Sequence, residues 1–161
     1  MSKASRKVLI VDDESNIRSA LGRVLHGYQL FFASQPSEAL AILEKEKIDL
    51  IISDHLMPSL SGREFLKIVR GRFPDTLRMM LTGHADVQTA MEATNQGEIY
   101  RFLIKPWDDL ALKLEIYFAF EHLEQLRSTR RFVEEMSATL PHAGTLGAAP
   151  GTGDPFDVTA E

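Results

Sequence analysis

The stretch VLIVDD at residues 8–13 decides the fold class, because four apolar residues run directly into two acids. Such a run of aliphatic, mostly β-branched residues is typical of a strand buried on both faces, as in a parallel sheet. Two further stretches have the same form, LIISD at residues 50–54 and FLIK at residues 102–105. If the three runs are neighbouring parallel strands, three carboxylates and one ammonium group meet at one edge of the sheet.

The rest of the chain alternates short apolar runs with helical patterns. We predict strands at residues 8–11, 30–33, 49–53, 78–81 and 101–104, and helices at 13–25, 36–43, 63–71, 86–95 and from about 107 onward. This alternation predicts an α/β fold, a doubly wound, five-stranded parallel sheet covered on both faces by five helices. Ligands of such sheets bind beyond the carboxyl ends of the strands, where the charged residues lie.

Composition excludes several classes of function. The chain has 161 residues, a net charge of −5 and no cysteine, so disulfides, thiolate metal sites and thiol catalysis are excluded. The negative charge argues against direct nucleic-acid binding. The apolar run after the basic start is far too short for a signal peptide or a membrane span, so we expect no membrane partner and a cytoplasmic location.

The acidic residues at the predicted sheet edge suit a hard divalent cation. Closely spaced carboxylates repel one another, and Mg²⁺ prefers oxygen ligands such as Asp13 and Asp54, with Asp12 behind them. An oxygen of Asp54 is then a candidate nucleophile toward phosphorus. Lys105 and the hydroxyl of Thr82 are candidate donors to the phosphoryl oxygens.

Each of these residues also has a simpler explanation. Asp12 or Asp13 alone suits a helix N-cap, and Asp54 alone suits a turn. Lys105 alone is usually a solvated charge, and Thr82 alone usually caps a turn. The compatible chemistry of four strand ends in one chain favours a joint site over coincidence.

Four motifs carry a resemblance to a known family. They are VDDE at residues 11–14, SDHLMP at 53–58 with Gly62, LTGH at 81–84 and KPW at 105–107. In these motifs and their spacing the chain resembles a two-component response-regulator receiver domain, from about residue 7 to residue 123. The resemblance implies a flavodoxin-like sheet with strand order 2-1-3-4-5, and a regulatory phosphoacceptor rather than an enzyme.

The resemblance also implies a metal site and a phosphoacceptor. Asp54 is similar to the aspartate that accepts a phosphoryl group from a sensor histidine kinase or a phosphotransfer protein. Asp13, Asp54 and the backbone carbonyl of Leu56 would ligate Mg²⁺, or Mn²⁺ in its place, and Asp12 would act largely through water.

The same family pattern implies a switch. Thr82 and Lys105 would bind the phosphoryl group, and Phe102 resembles the aromatic residue that turns inward when the threonine moves. A static core ring is the alternative for Phe102. The surface formed by the fourth helix, fifth strand and fifth helix would then control dimerisation or an effector, whose identity the sequence leaves open.

The last helix runs beyond the domain that it should cover. We predict a receiver domain at residues 1–122, a helical extension at 123–140 and a disordered tail or linker at 141–161. Heptad positions are occupied by Ile116, Ala119, Leu123, Leu126, Arg130, Val133, Ser137 and Leu140. Arg130 and Ser137 interrupt the seam, so a dimerising coiled coil and a helix folded back on its own domain both stay open. The protruding helix favours the front piece of a longer protein over a stand-alone regulator.

The remaining histidines and Trp107 are given structural rather than functional roles. Two alternative functions stay open. His26, His55, His122 and His142 lack metal-ligand spacing and are predicted to be surface residues. Trp107 is predicted to pack at a helix start.

The first alternative function is a Mg²⁺-dependent phosphatase with an aspartyl nucleophile, and the second is a dimerisation module that is never phosphorylated.

Overall fold

The computed structural model describes residues 2–140, which contain one parallel sheet and five α-helices. The strands are β1 (Lys7–Val11), β2 (Gln29–Ala33), β3 (Leu50–Asp54), β4 (Leu77–Thr82) and β5 (Arg101–Ile104). The helices are α1 (Ser15–Val24), α2 (Pro36–Lys45), α3 (Gly62–Arg72), α4 (Val87–Asn95) and α5 (Asp109–Thr139). Short 3-10 turns lie at Lys3–Ser5 and His84–Asp86.

The strand order is β2-β1-β3-β4-β5, with every neighbouring pair parallel. This confirms the predicted flavodoxin-like fold and its order. The register pairs Val11 with Ser53, Asp54 with Leu81, and Thr82 with Ile104. The carboxyl ends of β1, β3, β4 and β5 therefore lie side by side, which brings the predicted site residues to one edge.

The apolar run of β1 is buried on both faces, as its sequence predicts. Val8 and Ile10 belong to the core cluster that includes residues of α1 and α5. Leu9 and Val11 belong to the cluster that includes residues of α2, α3 and α4. Because side chains alternate along a strand, one short strand contributes to both layers of the core.

Four of the five predicted helix starts differ from the structure by one or two residues, and only the second helix, at Pro36, starts as predicted. The first helix begins at Ser15 instead of Asp13, and its N-cap residue is Glu14 rather than Asp12 or Asp13. The Oδ1 atom of Asp12 accepts the Glu14 N–H at 2.9 Å, which holds the intervening backbone in a turn. The fourth helix begins at Val87, because His84–Asp86 forms a 3-10 turn.

Helix α5 starts in one compact unit and ends in a second. The first unit ends at Leu123, and the second begins at Glu124. Ile116, Ala119 and Leu123 are buried in the core of the first unit. In the second unit the heptad residues Leu126, Val133 and Leu140 are 48%, 55% and 61% exposed.

The domain limits predicted from the sequence stay a prediction. The tail predicted at 141–161 lies outside the described residues. Among residues 2–140, no helix has the length and apolar character needed to cross a membrane.

Candidate functional site

The predicted site residues come together at the carboxyl edge of the sheet. Asp12 directly follows β1, Asp54 is the last residue of β3, and Lys105 directly follows β5. Asp13 lies beside Asp12, and its side chain is exposed. We call Asp12, Asp13, Asp54 and Lys105 the Asp54 cluster.

Three members of the Asp54 cluster, Asp12, Asp54 and Lys105, lie in contact and are largely shielded from water. Lys105 Nζ donates to Asp54 Oδ1 at 2.9 Å and to Asp12 Oδ2 at 3.3 Å. One oxygen from each of Asp12, Asp13 and Asp54 lies within 4.8 Å of the others. The side chains of Asp12, Asp54 and Lys105 are 0%, 7% and 22% exposed. Two shielded carboxylates, those of Asp12 and Asp54, therefore share one ammonium group, with the exposed carboxylate of Asp13 beside them.

The electrostatics of the Asp54 cluster favour a further cation. Burial raises the pKa of Asp12, the hydrogen bond from the Glu14 N–H lowers it, and the charge of Asp54 raises it, with a net upward shift. Burial disfavours the charge of Lys105, but its hydrogen bond to Asp54 and the two nearby carboxylates outweigh this and raise its pKa. Lys105 thus stays charged, and burial makes the charged form of the Asp12 carboxylate costly.

Backbone contacts fix the orientation of the acidic residues. The Arg18 guanidinium donates to the Asp12 carbonyl at 2.6 Å. The Gly62 N–H donates to the His55 carbonyl at 2.7 Å and closes the loop between β3 and α3. A Cβ atom at Gly62 would clash with the Asp54 carbonyl oxygen and lie 2.8 Å from His55 Cα. Only glycine permits this close approach of α3 to the backbone of Asp54.

Thr82 lies at the same edge, but its hydroxyl points elsewhere. It is the last residue of β4, is 1% exposed, and its Oγ1 donates to the Gly83 carbonyl at 3.2 Å. This weak neighbouring contact leaves the hydroxyl free to change partners. Leu56 follows His55 in the β3–α3 loop with its side chain 62% exposed, so any ligand that it supplies would come from its backbone.

Phe102 lies on β5, partly buried against the core cluster shared with α3 and α4. It lines a groove of about 420 Å³ together with Thr94, Tyr100, Arg101 and Glu115. The ring is therefore neither a fully exposed side chain nor a fully buried core residue. Space beside it on the surface formed by α4, β5 and α5 is compatible with the predicted switch.

A second groove, of about 430 Å³, adjoins the Asp54 cluster and is lined by Ile17, Lys105, Pro106, Trp107 and Asp109. Trp107 packs partly against the core, and its Nε1 donates to Asp109 Oδ1 at 3.1 Å. This confirms its prediction as a packing residue at the helix start. The Lys105–Pro106 peptide bond is cis.

The prediction that the histidines are surface residues is wrong for His55. His55 is 7% exposed, and its Nε2 lies 3.9 Å from Asp86 Oδ1. His122 is half-buried and stacks on Tyr100 with ring centroids 4.6 Å apart. His26 is exposed, and His142 lies outside the described residues. An isolated histidine carries no sequence signal of burial, which explains the error.

Sequence reasoning missed a second charged group, which links α3, α4 and the segment before β5. We call Arg63, Lys67, Glu92 and Glu98 the Glu98 cluster. Arg63 Nε donates to Glu98 Oε2 at 2.7 Å, and Arg63 Nη1 donates to Glu92 Oε2 at 3.1 Å. Lys67 Nζ lies 3.5 Å from Glu98 Oε1. The hydrogen bond from Arg63 lowers the pKa of Glu98 despite its burial.

The donor set of the Asp54 cluster fits a hard divalent cation. All three convergent acidic groups offer carboxylate oxygens, the ligand type that Mg²⁺ prefers. Burial, and to a lesser extent the charge of Asp54, raises the pKa of Asp12, and a bound cation would favour the charged carboxylate. The Glu98 cluster, by contrast, already balances two acids with two bases.

Comparison with known proteins identifies the class of this fold and site. The family model described as the response regulator receiver domain matches residues 8–117. The chain therefore belongs to the receiver-domain family of two-component response regulators, a regulatory family. Receiver domains bind Mg²⁺ at an acidic pocket such as the one formed by Asp12, Asp13 and Asp54.

Relatives and solved structures agree with this family. The hydrogenase transcriptional regulatory protein HoxA of Cupriavidus necator is 37% identical over 66% of this chain and 22% of its own length. The DNA-binding transcriptional regulator NtrC of Salmonella typhimurium is 32% identical over 94% of this chain and 32% of its own length. The chain thus spans less than a third of these relatives.

Among solved structures, one described as adenylate cyclase from Rhodopirellula baltica matches with a TM-score of 0.77 and 30% identity, over 81% of this chain and 98% of that chain. The receiver domain of an HD domain-containing protein from Pseudomonas fluorescens matches with a TM-score of 0.73 and 35% identity, over 80% of this chain and 96% of that chain.

Proposed function

We propose that Asp54 is the phosphoacceptor of this receiver domain, and that a phosphohistidine on a sensor kinase or phosphotransfer protein is its donor. The observation that carries the proposal is the 2.9 Å contact between Lys105 Nζ and Asp54 Oδ1, within a group of three converging carboxylates. One carboxylate oxygen is thus held beside a fixed cation and a cation-binding edge, an arrangement that suits phosphoryl transfer.

The residues divide the work of the transfer. A carboxylate oxygen of Asp54 attacks phosphorus, the P–N bond to the donor imidazole breaks, and the imidazole nitrogen retains the bonding electrons and takes a proton. Lys105 pairs with one phosphoryl oxygen, and the Thr82 hydroxyl turns from the Gly83 carbonyl to donate to another. Asp12, Asp13, Asp54 and the Leu56 carbonyl would hold Mg²⁺, which when bound neutralises charge on the phosphoryl oxygens.

Phosphorylation acts as a switch through the neighbouring strand. When the Thr82 side chain moves toward the phosphoryl group, it vacates space beside β5 that the Phe102 ring enters. This changes the surface formed by α4, β5 and α5. The new charge and its acceptor oxygens need only bias two conformations that already exist.

The test is phosphorylation of the full chain by acetyl phosphate, a small-molecule donor, with and without Mg²⁺. We expect acid-labile, Mg²⁺-dependent label on the wild type, none on Asp54→Asn, and wild-type labelling of Glu44→Gln, which changes an exposed carboxylate. Equal labelling of Asp54→Asn would refute the proposal. Release of many equivalents of phosphate from phosphate esters would favour the rival phosphatase.

We also propose that the extension of α5 mediates a homodimer. Leu126, Val133 and Leu140 recur every seven residues and are about half exposed or more, and Met136 lies on the same side. The upstream heptad residues Ile116 and Leu123 are occupied by the domain core. Sedimentation equilibrium of the full chain tests this proposal. Val133→Asp should weaken self-association, whereas Ser128→Asp, at an exposed polar position, should not.

A further inference from the structure

Arg63 joins three separate elements through a single guanidinium group. It is the second residue of α3, Glu92 lies on α4, and Glu98 lies between α4 and β5. Two of its nitrogens face Glu98, at 2.7 Å and 3.4 Å, and a third reaches Glu92 at 3.1 Å. A planar guanidinium holds this geometry in a way that a lysine ammonium group does not.

The two ion pairs of Arg63 differ in exposure. The Glu98 side chain is 6% exposed, and the Arg63 side chain is 18% exposed. The Glu92 side chain is 51% exposed. Shielded, two-point ion pairs are costly to break, whereas exposed single pairs contribute little. The Arg63–Glu98 ion pair is therefore costly to break, and the Arg63–Glu92 ion pair breaks at little cost.

The Arg63–Glu98 ion pair is connected to the sheet through Glu98 and to the loop after Asp54 through Gly62. The Arg78 side chain on β4 donates to the Glu98 carbonyl at 2.8 Å, which holds the Glu98 backbone. Gly62, directly before Arg63, packs on the Asp54 carbonyl and bonds to the His55 carbonyl. A rigid series of contacts thus runs from the backbone of Asp54 to Arg63, and only its last contact, to α4, is exposed.

We propose that Arg63 is a restraint on α4, with Glu98 as its fixed partner and Glu92 as its releasable partner. The inference rests on the proposed function, since it assigns a regulatory role within the switch of Asp54. Movement of α4 breaks the Arg63–Glu92 pair and leaves the Arg63–Glu98 pair intact. The pair therefore favours the conformation without a phosphoryl group, and its loss shifts the population toward the switched conformation.

The variants follow from the exposure of Glu92. Glu92→Gln removes the releasable pair, and Glu92→Lys places a like charge opposite Arg63. Glu64→Gln and Glu64→Lys make the same charge changes at an exposed position of α3 and serve as matched controls. All four changes lie on the surface, and the Arg63–Glu98 pair stays in place.

Each variant of the 161-residue chain is titrated with beryllofluoride and Mg²⁺, a phosphoryl mimic, and the fluorescence of Trp107 is followed. Trp107 is the only tryptophan of the chain, and it shares a groove with Lys105. We expect Glu92→Gln to lower the half-saturating beryllofluoride concentration about two- to fivefold, the size expected for one exposed ion pair. Glu92→Lys should lower it further, and both Glu64 variants should match the wild type.

Three outcomes are informative. A lower half-saturating concentration in both Glu92 variants, ordered as expected, supports the restraint. Values equal to the wild type in both Glu92 variants, or equal shifts in the Glu64 controls, overturn the restraint and leave the phosphoacceptor proposal standing. A wild type that does not respond to beryllofluoride and Mg²⁺ overturns the phosphoacceptor proposal itself, and the restraint with it.

Discussion

The Asp54 cluster and the Glu98 cluster each contain buried carboxylates that contact a cation, yet they are electrostatically opposite. The Asp54 cluster has three acids and one lysine, which contacts Asp12 and Asp54, and the pKa of Asp12 is raised. In the Glu98 cluster two acids face two bases, and the pKa of Glu98 is lowered. Burial raises the pKa of Asp12 more than its partners lower it, whereas the hydrogen bond from Arg63 outweighs the burial of Glu98. The difference teaches that the partners of a buried carboxylate separate a candidate cation-binding site from a structural ion-pair network.

Removing the central acid of the balanced cluster should have the largest effect. Glu98→Gln leaves Arg63 and Lys67 without their shielded partner, so we expect the free energy of unfolding to fall by about 1–3 kcal/mol. Urea denaturation at neutral pH measures it. An unchanged midpoint would mean that the Glu98 cluster contributes nothing to stability.

The free energy of unfolding should depend on pH in opposite directions for the two clusters. Because the folded-state pKa of Glu98 lies below its ordinary value of 4.5, its stabilisation is complete above pH 4.5 and is lost as the pH falls through the folded pKa. The stability difference between wild type and Glu98→Gln should therefore shrink below pH 4.5.

The raised pKa of Asp12 predicts the opposite pH dependence of stability for Asp12→Asn. Ionisation of this group destabilises the folded protein, so wild-type stability falls as the pH rises from 3.8 through the folded pKa. The advantage of the asparagine variant should appear above that range. Denaturation curves at several pH values without Mg²⁺ measure both differences, and parallel pH profiles for the two variants would contradict the assignment.

Mg²⁺ should stabilise the protein only through the unbalanced cluster. At a concentration tenfold above its dissociation constant, a ligand that binds only the folded state adds about 1.4 kcal/mol. We expect this increment in the wild type and in Glu98→Gln, and little of it in Asp13→Asn. Thermal denaturation with increasing Mg²⁺ provides the measurement. An equal increment in Asp13→Asn would remove Asp13 from the metal site.

Neutralising one acid of the unbalanced cluster should stabilise the metal-free protein. Asp12→Asn removes the cost of burying a charge and, to a lesser extent, the repulsion from Asp54, and we expect a gain of roughly 1 kcal/mol at neutral pH. The same change should weaken the Mg²⁺ increment. A loss of stability without metal would indicate that the bond to Lys105 outweighs the repulsion.

The smallest effect is expected where an ion pair is short but exposed. Arg72 Nη2 lies 2.6 Å from Glu44 Oε1, and the two side chains are 48% and 58% exposed. Solvent screening limits such a pair to about 0–1 kcal/mol. Urea denaturation of Glu44→Gln should show a change smaller than that of Glu98→Gln, although the contact is shorter. A larger change would mean that distance outweighs burial in this protein.

Most of the fold could be predicted from local patterns. The bounds of Arg101–Ile104 match the prediction, and Lys7–Val11 exceeds it by one residue. The apolar run of each strand is distinct in the sequence, although β1 is almost fully buried and residues 102–104 of β5 only partly. Helix starts were less accurate, because Asp12 bonds to the Glu14 N–H and delays the first helix. A side-chain bond of this kind does not alter the apolar periodicity.

The Asp54 cluster was predictable for a different reason. Asp12, Asp54 and Lys105 each follow a recognisable strand, and parallel strands place their carboxyl ends at one edge. Arg63 and Glu98 are 35 residues apart, and neither follows a strand or belongs to a motif. Their contact depends on how α3 packs beside the segment before β5, and the burial of His55 depends on similar packing.

The sequence by itself determined the fold class, a doubly wound parallel sheet. It also determined the family and the residues that meet at the edge of the sheet. It did so because apolar periodicity and motif spacing are local properties, and a parallel sheet converts them into position. Tertiary structure alone decided that Lys105 bridges Asp54 and Asp12, that Thr82 points to Gly83, and that Arg63 joins two acids. Those contacts depend on side-chain distances and shared burial, which arise only when distant segments pack together.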